Sequence, residues 1–269
     1  MKKTLFILLF FIANIHLFAG GINLPMGAKQ AGVGNAAVAT CDVWSVYHNQ
    51  AGLAGVEQTT ASIFVSQGNL LSQSNQAALA YAIPTKLGTF AFSFNRFGYK
   101  LYNENKAGFA YARKFGDGLR IGAQANVNSL AIGENYGKKI FLTFEAGLQF
   151  KLMNNLWLGT HIYNFSRASI NTIEKVPVIV RFGLYYKINS AVDVTVEYEK
   201  NWIQKPLFKG GVEYRLVKDF ALRTGINAGS NVSTFFGAGY VIKQFSIDAA
   251  CAFDAKLGTT PQINLNYKF

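Results

Sequence analysis

The chain has 269 residues with a formal net charge of +12, and half of it is apolar while only 15% is charged, against the ~25% usual for soluble proteins. Aromatics at 14% exclude a disordered chain, and 5 Pro without a Gly-X-Y period exclude collagen. Two cysteines, Cys41 and Cys251, are too few for a disulfide scaffold or a four-cysteine zinc site.

The first residues carry an export pattern. Lys2 and Lys3 precede an apolar run from Leu5 to Ala13, and Leu17-Phe18-Ala19 offers a small residue for cleavage. These are the three parts of a secretory signal peptide over residues 1–19, too short to span a bilayer. A buried N-terminal helix is the competing reading. No cysteine follows the cleavage region, which argues against a lipoprotein. Cleavage takes the basic count from 26 to 24, so with 14 acidic residues the exported chain carries +10. Such a chain meets anionic lipid, polysaccharide or protein rather than nucleic acid.

From about residue 59 to residue 269 the sequence alternates with period two. Val192-Asp193-Val194-Thr195-Val196-Glu197-Tyr198-Glu199 and Gln262-Ile263-Asn264-Leu265-Asn266-Tyr267-Lys268-Phe269 show it most clearly. A strand sends successive side chains to opposite faces, so each segment has one apolar and one polar face. Fourteen such segments are predicted, of about ten residues each, the length of a tilted strand that crosses a bilayer. In chain order they are Thr59 to Gly68, Asn75 to Pro84, Leu87 to Tyr99, Lys106 to Phe115, Leu119 to Ile132, Phe141 to Leu152 and Leu156 to Ser166. Then come Pro177 to Lys187, Ala191 to Lys200, Leu207 to Leu216, Phe220 to Ala228, Ser233 to Ile242, Gln244 to Asp254 and Pro261 to Phe269. In the seventh, Trp157, His161 and Tyr163 compete with Leu158 and Ile162 for the apolar face. After residue 20 no apolar run approaches the ~20 residues of a membrane-spanning helix.

Tight connectors such as Thr85-Lys86 and Gly116-Asp117-Gly118 follow even-numbered segments. Longer ones such as Arg167 through Val176 follow odd-numbered ones. Outer-membrane barrels have an even strand count, short periplasmic turns and longer outside loops. A soluble β-sandwich also alternates, with its apolar faces meeting in one core. Against it stand the leader, the regular segment length and aromatics such as Phe90, Tyr111, Phe150, Tyr186 and Tyr267 near segment ends, where an interfacial girdle sits. The fold class is therefore all-β: a transmembrane antiparallel barrel of about fourteen strands in a bacterial outer membrane. A C-terminal strand ending in Phe269 resembles the sorting signature of such proteins.

Residues 20–58 do not alternate. They hold Gly27, Gly32, Gly34 and Asn35, then Asp42-Val43-Trp44-Ser45-Val46-Tyr47-His48-Asn49-Gln50-Ala51-Gly52-Leu53-Ala54. Small residues allow close backbone approach. The stretch falls below the ~40 residues a domain needs to fold alone, so it is expected to pack inside the barrel as a hatch. The spacing of Gly32 and Gly34 is read as packing, because no strand-loop-helix phosphate site surrounds it.

These two motifs resemble the N-terminal hatch of PorV/PorQ-type outer-membrane proteins, part of the wider FadL-like group of Bacteroidetes. Gln50 stands where that family has Pro, and Lys29 where Arg is commoner. The resemblance implies a non-enzymatic barrel associated with type IX protein secretion, with a secretion complex as partner. The alternative it implies is a FadL-like transporter of a hydrophobic small molecule. A wide apolar pocket between hatch and wall would favour transport, and a filled lumen would favour scaffolding.

No catalytic constellation is legible. His161 has Asn164 and Ser166 nearby, but alternation puts them on the opposite face. His48 reads as a hydrogen-bonded structural histidine, and the cysteines as small buried or lipid-facing side chains. No cofactor is expected, and no His, Cys and carboxylate cluster has metal-ligand spacing. The polar faces of segments eight to eleven carry Arg181, Lys187, Asp193, Glu197, Glu199, Lys209, Glu213, Arg215 and Arg223. Opposite charges on adjacent strands favour cross-strand pairs, so an interior zipped by ion pairs is expected ahead of an open polar path. Lys100, Lys106, Lys138, Lys139, Arg167, Lys175, Lys200 and Lys205, with Arg96 and Arg113, are expected at the outside end, facing outer-membrane lipid and lipopolysaccharide.

Overall fold

The computed structural model describes residues 23–133, 137–171, 175–202, 204–256 and 258–269. The expected leader, residues 1–19, lies outside them. Fourteen strands form a closed antiparallel barrel in which each pairs with its sequence neighbours and β1 pairs with β14. They are β1 (Thr60–Gln67), β2 (Asn75–Thr85), β3 (Gly88–Gly98), β4 (Tyr102–Phe115), β5 (Leu119–Ile132), β6 (Gly137–Met153) and β7 (Leu156–Tyr163). The second half comprises β8 (Ile179–Lys187), β9 (Val192–Asn201), β10 (Leu207–Val217), β11 (Phe220–Ala228), β12 (Val232–Ile242), β13 (Phe245–Asp254) and β14 (Gly258–Lys268). Closure leaves no edge strand, as a medium without hydrogen-bonding capacity requires. No helix among the described residues is long and apolar enough to cross a membrane.

Alternation sorts the two faces. On β5, Gln124, Asn126 and Asn128 are buried inward while Ile121 and Val127 are exposed outward. Phe92, Phe109, Phe144, Phe182 and Phe236 are exposed on the outer face. Rings on neighbouring strands meet there, as in Phe90 with Tyr111 at 5.1 Å and Phe245 with Tyr267 at 4.8 Å. On β7 the apolar outward face belongs to Leu158 and Ile162, and His161 and Tyr163 point inward and are buried.

At the loop end the strands depart from the expected bounds, most at β4, β6, β7 and β14, the last beginning at Gly258 rather than Pro261. β4 and β6 begin at Tyr102 and Gly137, four residues before Lys106 and Phe141, because their ladders with β5 run on to Tyr102↔Ile132 and Ile132↔Gly137. β7 ends at Tyr163 rather than Ser166, where Asn164 takes a positive φ of 53°. The described residues of the β7–β8 connector pack against the strands. Its Ile170 and Val176 are buried with Leu130, Phe141, Tyr163 and Ile179 in an apolar cluster.

Two of the expected outside cations are elsewhere. Lys106 points into the lumen and is 6% exposed, because the earlier start of β4 sets it well below the mouth. Arg113 stands beside the β4–β5 turn, at the opposite end of the strand from Tyr102.

Candidate functional site: the lumen and the segment inside it

Residues 23–58 form no strand. They fold as two short helices, α1 (Ala28–Gly32) and α2 (Ser45–His48), and a 3-10 turn over Gln50–Gly55. Gly27 precedes α1 at φ +102°, which an L side chain rarely adopts. Asp42 gathers this segment: it accepts from Gln30 Nε2 at 2.6 Å and from Trp44 N at 2.9 Å, and lies 3.7 Å from Lys29 Nζ. Asn49 caps the 3-10 turn by accepting from Ala51 N at 3.1 Å. Gly52 leaves no room for a side chain, since a Cβ there would sit 2.4 Å from Thr40 O.

The segment meets the wall in two different ways. Against β2, β3 and β4 the contact is mainly apolar. Met26, Trp44, Tyr47 and Leu53 form one core with Phe64 and with wall alanines including Ala78, Ala80, Ala91, Ala110 and Ala112. Trp44 packs against Tyr47 at 5.9 Å and edge-on to Phe64 at 5.8 Å, and its Nε1 donates to Asn266. Ala51 and Leu53 are fully buried.

Against β5 to β12 the contact is polar and backbone-close. Gly122, Gly147, Gly159, Gly183, Gly211, Gly225 and Gly237 each stand where a Cβ would crowd this segment. At Gly159 it would lie 2.2 Å from Val38 O, and at Gly225 2.2 Å from Gly34 N. Gly34, at φ +69°, and Gly32 are the segment's half of that contact, Gly32 abutting Gly237 and Arg223. Asn35 also takes a positive φ, 58°. A glycine inside a strand marks such close backbone approach.

Side chains fasten what the glycines admit. Glu197 accepts from both Ala37 N and Val38 N at 2.9 Å. Gln149 donates to Thr40 O, Asn49 donates to Leu148 O, and Asn264 accepts from Ala28 N. Gln50 donates to Glu145 at 3.0 Å, a bond that a proline at this position could not make. Glu145 also accepts from Lys106, which in turn donates to Asn23, and pairs with His161 Nε2 at 3.0 Å.

The charges expected in the lumen form two knots. Arg181 and Lys209 share Glu197 and Glu199, with Arg181 2.8 Å from Glu199 and Lys209 2.8 Å from Glu197. Nearer the short turns, Arg215 pairs with Asp193 and Glu213, and Arg223 bridges Glu213 and Asp248 at 2.7 and 2.8 Å. Lys187 stands exposed at the end of β8. The reading from sequence missed Lys106, Glu145 and Asp248 as lumen charges. The polar face of the sixth segment already contained Glu145, but its partner His161 lies on the next strand, so only the register brings the two together.

Two cavities of about 340 and 230 Å³ lie toward the short-turn side, both reached by Lys29 and Cys41. The smaller is walled by Arg120, stacked 3.8 Å over the Trp157 ring, and by Tyr185, Asp193 and Arg215. Burial pushes the Cys41 thiol up to about 11, so it stays protonated beside Gln149 and the Arg120 guanidinium. His48 is held neutral: burial pushes it down to about 3, and Nε2 bonds the Met26 carbonyl at 2.8 Å. That carbonyl can only accept, so the proton sits on Nε2. Cys251 faces outward on β13.

No protein-family model and no curated protein matches the sequence. Solved structures do match the fold. The Ralstonia pickettii toluene transporter TbuX superposes with a TM-score of 0.75 at 13% identity, over 90% of this chain and 98% of that one. The Pseudomonas putida toluene transporter TodX gives 0.69 at 12% identity, over 90% and 97%. A FadL homologue of Pseudomonas aeruginosa gives 0.67 at 11% identity, over 93% and 100%. With its apolar outer face and closed fourteen-strand ladder, the chain is an outer-membrane β-barrel that shares the fold of FadL-type transporters.

Proposed function

We propose that this barrel is a FadL-like transporter that carries a hydrophobic small molecule across the outer membrane, with residues 23–58 as its hatch. The observation that carries this is the likeness of nearly the whole chain to hydrocarbon and FadL-type transporters. At the loop end Leu130, Phe141, Ile170 and Val176 are packed on one another in a buried apolar cluster. Residues 23–58 occupy much of the lumen below it, so passage requires the hatch to shift on its polar, glycine-lined side. The work is binding and gating, not catalysis. The test is uptake of a radiolabelled monoaromatic or aliphatic solute by intact cells with a lipopolysaccharide outer membrane. Uptake above that of cells lacking the chain is expected, and equal uptake across a panel of apolar solutes would sink the proposal.

A second reading keeps the barrel as a PorV/PorQ-type component of type IX secretion. The largely occupied lumen and the motif over Gly27 to Leu53 favour it. A secretion complex co-purifying stoichiometrically, with no uptake, would select it over transport.

A further inference from the structure

The short-turn rim carries one lysine at each of its six hairpins and one at the β14–β1 seam, with Asp117 and Asp219 in two of the same turns. Lys86, Lys218 and Lys243 sit in the turns after β2, β10 and β12, and Lys114, Lys151, Lys187 and Lys268 lie at the ends of β4, β6, β8 and β14. All are exposed except Lys151, which is half-buried. Among the described residues none of the seven lies within ion-pair distance of a carboxylate. The lumen cations Lys106, Arg181, Lys209, Arg215 and Arg223 are all paired.

Each rim lysine also adjoins a large apolar residue in sequence. These neighbours are Leu87, Phe115, Leu152, Ile188, Val217, Ile242 and Phe269, between 48% and 67% exposed. The apolar band therefore runs down to the turns themselves. That sets the hydrocarbon boundary level with the rim and the headgroups level with the lysine amines, which long side chains reach by snorkelling.

From this we infer that the short-turn rim is a binding collar for anionic glycerophospholipid of the periplasmic leaflet. Each unpaired lysine would meet one phosphate-bearing headgroup while its neighbour anchors in the acyl region. Distribution decides between occupants. A docked acidic protein would be met by a patch on one side, whereas a leaflet surrounds the barrel and is met by a charge at every hairpin. Clustered basic groups at a membrane surface attract anionic lipid additively.

The test reconstitutes the full chain in nanodiscs of phosphatidylethanolamine with a minor share of phosphatidylglycerol, and weighs the lipid retained by native mass spectrometry. Retained phosphatidylglycerol should exceed its bulk share several-fold. Replacing the seven rim lysines by Gln should return it to the bulk share, with heat-modifiable migration confirming a folded barrel. Should that variant not fold, Lys86→Gln, Lys218→Gln and Lys243→Gln together change only turn residues and should roughly halve the excess. Three outcomes overturn the inference: no excess in the parent, an excess that survives neutralisation, or an equal loss when Lys138 and Lys139 at the loop end are neutralised instead. Soluble polyglutamate displacing the phosphatidylglycerol and then remaining bound would assign the collar to an acidic protein.

Discussion

The alanine side and the glycine side of the lumen hold the same segment by opposite means. Against β2 to β4, wall alanines leave room for Trp44, Tyr47 and Leu53, and the contact is mainly apolar, with a hydrogen bond from the Tyr47 hydroxyl to Leu79 O. Against β5 to β12, the wall side chain is absent, so backbones touch, and hydrogen bonds accepted by Glu197 and Glu145 and donated by Gln149 fix the segment's position. Apolar burial supplies attraction without direction. Buried polar contacts supply direction but are costly to leave half made. The hatch proposed above would use both, hinging on the apolar side while it detaches on the polar one.

The contrast can be broken from either side. Trp44→Ala removes the largest side chain of the apolar core and should cost about 3–5 kcal/mol. The hatch should then release, seen as raised single-channel conductance and cleavage between residues 23 and 58 by protease, with the barrel still heat-modifiable. If conductance stays at the parent level, the apolar side is not what holds the hatch. Glu197→Gln leaves Arg181 and Lys209 short of a counter-charge and weakens the cradle for Ala37 and Val38. It should cost about 3 kcal/mol, loosening residues 37–40 while Trp44 stays protected from exchange. Uniform deprotection of the whole hatch would refute the division into two sides.

Much of the barrel was readable because its signal is local. Strand alternation needs only neighbours, and connector lengths follow from counting. The polar side was not, because Glu145 with His161, Lys106 with Asn23 and Glu197 with Val38 are joined by register and by the path of a non-repeating segment. One trace was available: β5, β6, β7, β8, β10, β11 and β12 each place a glycine on their polar face, a period that strand stability alone disfavours. The lysine at each short turn is equally local in sequence.

Acid sharpens the comparison with a smaller effect. His48 is neutral when docked, with its pKa lowered from about 6.5 to about 3 by burial. Its contribution is complete above the unfolded value and is lost as pH falls below about 6.5, growing until about pH 3. By pH 5 the loss is about 2 kcal/mol. Hatch exchange should quicken below pH 6 in the parent and stay flat in His48→Gln. A parent profile that is flat to pH 4 would show the ring to be solvated.

The smallest expected effect lies at the loop end. Neutralising Lys138, Lys139, Lys200 and Lys205 should lower lipopolysaccharide co-purification, most clearly at low salt where screening is weakest. Unchanged retention there would mean that these are ordinary solvated loop charges.

The pairing of β1 with β14 has a consequence for assembly. The first and last strands meet only when the chain is complete, and the hatch lies N-terminal to the strand that makes the seam. Val33 and Gly34 are pressed backbone-to-backbone on Gly211 and Gly225, which leaves little clearance there for the segment to enter a finished barrel. The cargo of the lumen is then expected to load while the wall is still an open sheet, so that plug and cylinder mature as a single event. A peptide of residues 23–58 added afterwards to a barrel lacking them should leave it leaking, whereas the same residues in cis should seal it.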